Sequence, residues 1–224
     1  MRILLAGQKR FGADVFQLVT ALGHDIAAVC APAGNIGTRD EDKLHFAATI
    51  AGVPVIPSGA LKAAAVPEGV DLIITAHSHD FISRPVRNRS RLGAIGYHPS
   101  LLPLHRGRDA VRWAVKLRER VTGGTIYWLN ETVDGGPIAA QRHVFIRPED
   151  DALELWKREL APLGLELFEK ALGDIAAGKI IQRPQDHGLA SFEPSLENAP
   201  RIYRPELLQI GYNGCGKNLK YQIA

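Results

Sequence analysis

The chain opens Met1-Arg2-Ile3-Leu4-Leu5-Ala6-Gly7, and the fold is read outward from that stretch. Residues 3–6 are an unbroken apolar run closed by a glycine, the pattern of a strand buried on both faces in a parallel sheet. Residues 7–12 read as a loop. Residues 13–22 then place Val15, Phe16, Val19 and Leu22 at helical spacing, and Gly23 suits the helix end. Further strands are predicted at residues 25–30, 53–56, 71–76 and 93–96, with helical text at 43–50. This alternation predicts an α/β fold, a Rossmann-like, doubly wound, mostly parallel sheet with helices on both faces.

The pattern changes after residue 120. Residues 125–129 and 138–146 are β-rich, with Asp134-Gly135-Gly136 between them. Residues 151–177 are helical in composition, and Pro162 is predicted to end or kink that helix. From His187 the text turns irregular, with Pro194, Pro200, Pro205, Gly211, Gly214 and Gly216. One catalytic-type domain over residues 1–186 and a short C-terminal extension over 187–224 are expected. The extension is too short for an independent domain, so it either packs over the main one or is partly mobile.

Composition excludes several classes. A chain of 224 residues can bury about 70% of its unfolded surface and needs no staple. With 46% hydrophobic and 23% charged residues, wholesale disorder is excluded. Basic residues number 27 against 24 acidic, and a net charge of +3 is too weak to argue for nucleic acid. Cys30 and Cys215, the two cysteines, exclude a disulfide framework and a Cys-rich zinc site, and suit a reducing compartment. The opening apolar run is too short for a signal-peptide core, and no stretch approaches the roughly 20 apolar residues that span a bilayer. A cytoplasmic protein with no membrane contact is expected. His77-Ser78-His79 is too weak a grouping to imply a metal.

Three loops carry chemical potential. Gly7-Gln8-Lys9-Arg10-Phe11-Gly12 lacks both the G-x-G-x-x-G fingerprint and the Walker lysine-serine ending, so it reads as a strand-to-helix turn. Lys9 and Arg10 can still meet an anion at the helix start. The second loop is Gly96-Tyr97-His98-Pro99-Ser100-Leu101-Leu102-Pro103-Leu104-His105-Arg106-Gly107. Two prolines stiffen it, and it leaves the carboxyl end of a strand, where open α/β sheets place ligands. His98 sits at that exit, where it can be a structural or a reactive histidine. The third is Val133-Asp134-Gly135-Gly136-Pro137-Ile138, a strong turn signal. Asp134 either shapes the turn or projects into a cleft and orients a histidine.

The two motifs HPSLLPLHRG at 98–107 and VDGGPI at 133–138 together resemble the folate-dependent formyltransferase family, over roughly residues 1–182. Gly7-Gln8-x-x-Phe11-Gly12 and Tyr97-His98 lean toward the hydrolase domain of 10-formyltetrahydrofolate dehydrogenase, with methionyl-tRNA formyltransferase as the other near member. The resemblance implies an enzyme that takes a formyl group from 10-formyltetrahydrofolate, a co-substrate, to an amine acceptor without a metal. Hydrolysis of the same donor, or folate binding with impaired catalysis, are its alternatives. It also implies catalytic roles for His98, as oxyanion stabiliser or proton shuttle, and for Asp134, which holds it.

The family's third catalytic residue is an asparagine two positions before the histidine, and Gly96 stands there instead. Loss of one oxyanion donor typically costs about 10²–10³ in rate. Gln8, Lys9 or Tyr97 can replace the donor, a water can fill the gap, or nothing replaces it. Gly96→Asn is therefore expected to raise transfer. The resemblance places the folate slot at His79, Asp80, Phe81 and Ile82 and at Leu129, Asn130, Glu131, Thr132 and Val133, leading into Asp134. Arg84, Arg87, Arg89 and Arg91 read as a solvated face or as contacts for the glutamate tail of folate. A small-molecule amine is the expected acceptor. The short extension and low charge disfavour tRNA, and a homodimer stays open.

Overall fold

A computed structural model describes residues 1–34 and 41–198. Cys215 and the predicted irregular text beyond residue 198 lie outside the described residues. Seven strands form one sheet in the order β3-β2-β1-β4-β5-β6-β7. They are β1 (Arg2–Gly7), β2 (Asp25–Ala31), β3 (Val55–Pro57), β4 (Leu72–Ala76), β5 (Ala94–His98), β6 (Val121–Trp128) and β7 (Ile138–Phe145). The first five are parallel, β6 runs antiparallel to β5, and β7 runs antiparallel to β6.

Strand order dictates which face each connection covers. From β1 the chain moves outward to β2 and β3, and right-handed crossovers put α1 (Lys9–Ala21) and α2 (Lys43–Ile50) on one face. From β3 it returns past β1 to β4 and β5, and those crossovers cover the other face. There the cover is mostly irregular, with Leu61, Val66 and Val70 joined by Val86 of the short α3 (Arg84–Arg87). After α4 (Ala110–Lys116) and α5 (Ala152–Leu155), the long helix α6 (Ala161–Ala176) joins α1 on the first face, so the heavy helical layer lies on one side only. Because β1 and β4 are neighbours whose crossovers leave in opposite directions, a crevice opens at their carboxyl ends, where α/β sheets bind ligands.

Two local expectations change. The first loop is shorter than predicted, because α1 begins at Lys9 and Phe11 already packs in the core. Pro162 does not end the predicted helix. A π-helical turn at Trp156–Leu160 precedes it and absorbs the backbone carbonyls the proline cannot satisfy. The Tyr97 hydroxyl donates to the Leu160 carbonyl at the end of that turn, at 2.7 Å. Residues 187–198 pack over the main domain.

Candidate active site

β5 ends at His98, whose side chain shares a face of the sheet with Gly96. In register with Gly96 stand Thr75 on β4 and Tyr127 on β6. Neighbours in register point the same way, so His98, Gly96, Thr75 and Tyr127 share one face. Tyr97, between them, points to the opposite face among Phe11 and Phe168. It is thereby removed as a replacement for the missing asparagine.

His98 is buried, 7% exposed. Its Nε2 lies 2.7 Å from the His105 carbonyl oxygen, which only accepts, so Nε2 carries a proton. Nδ1 lies 3.6 Å from Asp134 Oδ2, at ion-pair distance but beyond hydrogen-bond length. The structure thus brings His98 and Asp134 together from loops 36 positions apart in the chain. Asp134 is held by donors, the Gly107 N–H at 2.7 Å on Oδ2 and the Tyr127 hydroxyl at 2.5 Å on Oδ1. Burial, then the charge of Asp134 and this hydrogen bond, push the Tyr127 hydroxyl well up, which keeps it a donor.

The loops around this pair are anchored from the C-terminal segment. Gln185 Nε2 donates to the carbonyls of Asp134 and Gly136, at 2.8 and 2.7 Å. Gln185 Oε1 accepts from Arg106 Nη2 at 2.6 Å and Nε at 3.2 Å. Burial lowers the Arg106 guanidinium, and the charge of Asp134 opposes that shift. The backbone N–H of His105 donates to Ser191 Oγ at 2.8 Å, and its ring lies between two carboxylates. Nε2 meets Glu119 at 2.9 and 3.0 Å, and Nδ1 stands 3.0 Å from Glu193 Oε2, off the hydrogen-bonding direction. Lys9, His77, His105 and Asp134 all have left-handed backbone, with φ of 58°, 57°, 54° and 48°. Such conformations cost energy and cluster at functional sites.

At the β1/β4 crevice, Gln8 is 7% exposed and its Nε2 has no partner among the described residues. The Lys9 N–H donates to Asp42 Oδ2 at 2.6 Å. His77 is held below its ordinary range by burial and then by the charge of Lys9.

The residues expected to line the folate slot fall into distinct environments. Asp80 accepts from Ser58 Oγ at 2.7 Å and from the Gly59 N–H at 2.5 Å. It also lies 3.6 Å from the Cys30 thiol, which burial and then Asp80 push up to about 12. His79 is exposed, and Phe81 is 73% exposed while Ile82, at 3%, belongs to the core. Leu129 packs against the same cluster as Ile82. Asn130 Oδ1 accepts the Thr132 N–H at 2.9 Å, and Thr132 and Val133 are exposed.

Arg87 joins the two stretches. Its guanidinium donates to the Ile82 carbonyl at 2.7 Å and to Glu131 at 2.8 Å. It is buried, so the solvated-face reading fails for this arginine. Sequence reasoning missed Thr75, Tyr127, Gln185 and the partners of His105. A lone hydroxyl in the otherwise apolar run 72–76 was the available signal for Thr75, and Tyr127 had none.

The family described as formyl transferase matches residues 57–171, and the chain belongs to that family. It is 32% identical over 203 residues to mitochondrial 10-formyltetrahydrofolate dehydrogenase of Mus musculus, covering 86% of this chain and 22% of that protein. It therefore spans about a fifth of the dehydrogenase's length. It is 34% identical over 206 residues to methionyl-tRNA formyltransferase of Chloroflexus aurantiacus, covering 88% of this chain and 66% of that one. In fold it is similar to the N-formyltransferase from Helicobacter canadensis in complex with folinic acid and dTDP-3-aminofucose. The TM-score there is 0.72 at 18% identity, over 90% of this chain and 73% of the other. No group of acidic, histidine or cysteine side chains among the described residues is arranged to hold a metal, and no described helix is long and apolar enough to cross a membrane.

Proposed function

We propose that this protein transfers the formyl group of 10-formyltetrahydrofolate to a small-molecule amine, with His98 and Asp134 as the catalytic pair. The observation that carries the reading is the pairing itself, a buried histidine at the end of a parallel strand facing a carboxylate. The surroundings fit a folate. Ile82 and Leu129 offer an apolar wall, Phe81 an exposed ring at the rim, and Gln8 a buried donor without a partner. His79, Asp80 and the stretch from Asn130 to Val133 complete the proposed slot.

The chemistry is acyl transfer. The amine nitrogen bonds to the formyl carbon as the carbonyl π pair moves onto oxygen. The C–N10 bond then breaks, oxygen re-forms its double bond, and the proton lost by the amine ends on N10. His98 Nε2 is committed to the His105 carbonyl, so Nδ1 is the working nitrogen. It accepts the amine proton and delivers it to N10, and Asp134 stabilises the ring while it is charged.

The test mixes the protein with 10-formyltetrahydrofolate and a panel of amino sugars, hydroxylamines and amino acids, following tetrahydrofolate release and formylated product. Product with at least one amine supports transfer. Formate with every amine points to hydrolysis. Binding without any tetrahydrofolate release overturns the catalytic reading.

A further inference from the structure

The position where related enzymes are expected to carry an asparagine is not vacant. A Cβ built on Gly96 would lie 2.3 Å from Thr75 Oγ1, 3.1 Å from Leu129 Cδ1 and 3.5 Å from Tyr127 Cε1. Cβ to amide nitrogen within an asparagine spans about 2.4 Å from standard bond lengths. The Thr75 hydroxyl therefore sits inside the volume that an asparagine side chain at residue 96 would sweep. Any side chain there collides with it first.

Three further observations give this hydroxyl a task. Its hydrogen bond to the Ile95 carbonyl is 3.5 Å long, at the limit of the interaction, so its proton is barely committed. Thr75 is half-buried in a strand whose other side chains, Leu72, Ile73, Ile74 and Ala76, are buried and apolar, so a hydroxyl there is out of keeping with the core. It stands in register with Gly96 and on the face that carries His98 and the Tyr127–Asp134 hydrogen bond. Lys9, by contrast, leaves β1, one strand further from Gly96 than Thr75 is.

We propose that Thr75 is a catalytic residue whose hydroxyl donates to the formyl oxygen, replacing from the neighbouring strand the asparagine that Gly96 lacks. This rests on the formyl-transfer reading above. As the amine adds to the formyl carbon, the oxygen gains a negative charge, and the Thr75 O–H bond points a proton at it without transferring it. When the C–N10 bond breaks, the charge returns to the carbonyl and the hydrogen bond weakens. Glycine at 96 is the complement of that donor: only a residue without a Cβ leaves room for the hydroxyl. The expectation that Gly96→Asn raises transfer is replaced by its opposite.

The experiment compares wild type, Thr75→Val, Thr75→Ser, Thr75→Ala, Gly96→Asn and the double variant Thr75→Ala/Gly96→Asn. Turnover of 10-formyltetrahydrofolate is read beside equilibrium binding of tetrahydrofolate, which lacks the formyl oxygen. Thr75→Val should lower kcat by about 10²–10³ with tetrahydrofolate binding unchanged, the usual effect of removing one oxyanion donor. Thr75→Ser keeps the hydroxyl and should stay near wild type. Gly96→Asn alone should be impaired, whereas adding it to Thr75→Ala should restore activity, because the clash with Thr75 is gone, the Leu129 side chain need yield by only a few tenths of an ångström, and a donor returns. Should the valine variant not fold, Thr75→Ala against Thr75→Ser gives the same reading. Full turnover in Thr75→Val or Thr75→Ala, or equal loss in Thr75→Ser, overturns the assignment and leaves formyl transfer standing. A wild type that releases no tetrahydrofolate overturns both.

Discussion

His98 is tethered by one ring nitrogen and leaves the other facing a carboxylate it does not touch. A tethered imidazole keeps its orientation while its second nitrogen exchanges a proton, which is what an acid–base group needs. His98→Ala should lower turnover by about 10²–10⁴, the range of general acid–base catalysis, with tetrahydrofolate affinity nearly intact. Steady-state kinetics beside a binding titration checks this, and unchanged turnover removes His98 from the mechanism. His98 and Asp134 are legible in the sequence because each lies in a loop whose prolines or glycines announce it. Thr75 is not, since its role exists only once β4 is laid beside β5 in register. Tyr127 is hidden for the same reason, its partner Asp134 being across a turn.

At the scale of elements, two turns are held by one side chain. Gln185 lies about fifty residues beyond the Asp134 turn, yet its amide satisfies two carbonyls of that turn and the buried Arg106 guanidinium. Gln185→Leu takes the amide donor from both carbonyls and leaves the Arg106 guanidinium with His187 Nδ1, 3.1 Å from its Nη2, and each unsatisfied buried group costs about 1–3 kcal/mol. A clear drop in the urea midpoint is expected, with kcat falling more than tetrahydrofolate affinity, because His98 and Asp134 are no longer held apart at their working distance. Circular dichroism during denaturation and kinetics at a single pH check both halves. Gly136→Ala should act on the same turn more severely, since a Cβ there would meet the Trp128 carbonyl oxygen at 1.7 Å. Poor soluble yield or a sharply lowered melting temperature is the expected outcome. The strap formed by residues 187–198, which packs over these loops, was only half legible. Its irregular, proline-punctuated text marks it off from the periodic elements before it, but which loops it covers is a matter of contacts between residues remote in the chain. Strands and helices of the parallel half were readable because their apolar periods are set locally. The one-sided helical layer follows from strand order, which no local pattern carries.

Across the whole molecule, three carboxylates share an acid-sensitive consequence, and two of them, Asp71 and Asp109, fasten pieces distant in the chain. Asp71 is held below the usual range by the Arg2 backbone N–H and by Arg91. Asp150 is lowered chiefly by its hydrogen bond from Arg158. At Asp109 burial works the other way, but the Leu196 N–H, Arg112 and Ser195 outweigh it, so this carboxyl is also lowered. Asp109 thereby ties the start of α4 (Ala110–Lys116) to the far end of the strap, its Oδ2 accepting from the Leu196 N–H at 3.0 Å. A carboxyl whose folded value lies below its unfolded value, near 3.9, adds stability that is fully present above that value and lost as pH falls through the folded one. Stability from these groups should therefore be level from neutral pH down to about 5 and decline below about 4. Asp109→Asn should lower the urea midpoint at pH 7 and reduce the further loss between pH 5 and pH 3, because its share no longer titrates. The strap should loosen in the same variant, so a protease cutting after large apolar residues should cleave the native protein faster at the exposed Leu189 and Phe192 at neutral pH. A variant with the wild-type acid slope and wild-type cleavage would show that Asp109 does not hold the strap, and the stability of the loops around His98 and Asp134 would have to be sought in Gln185 and Glu193.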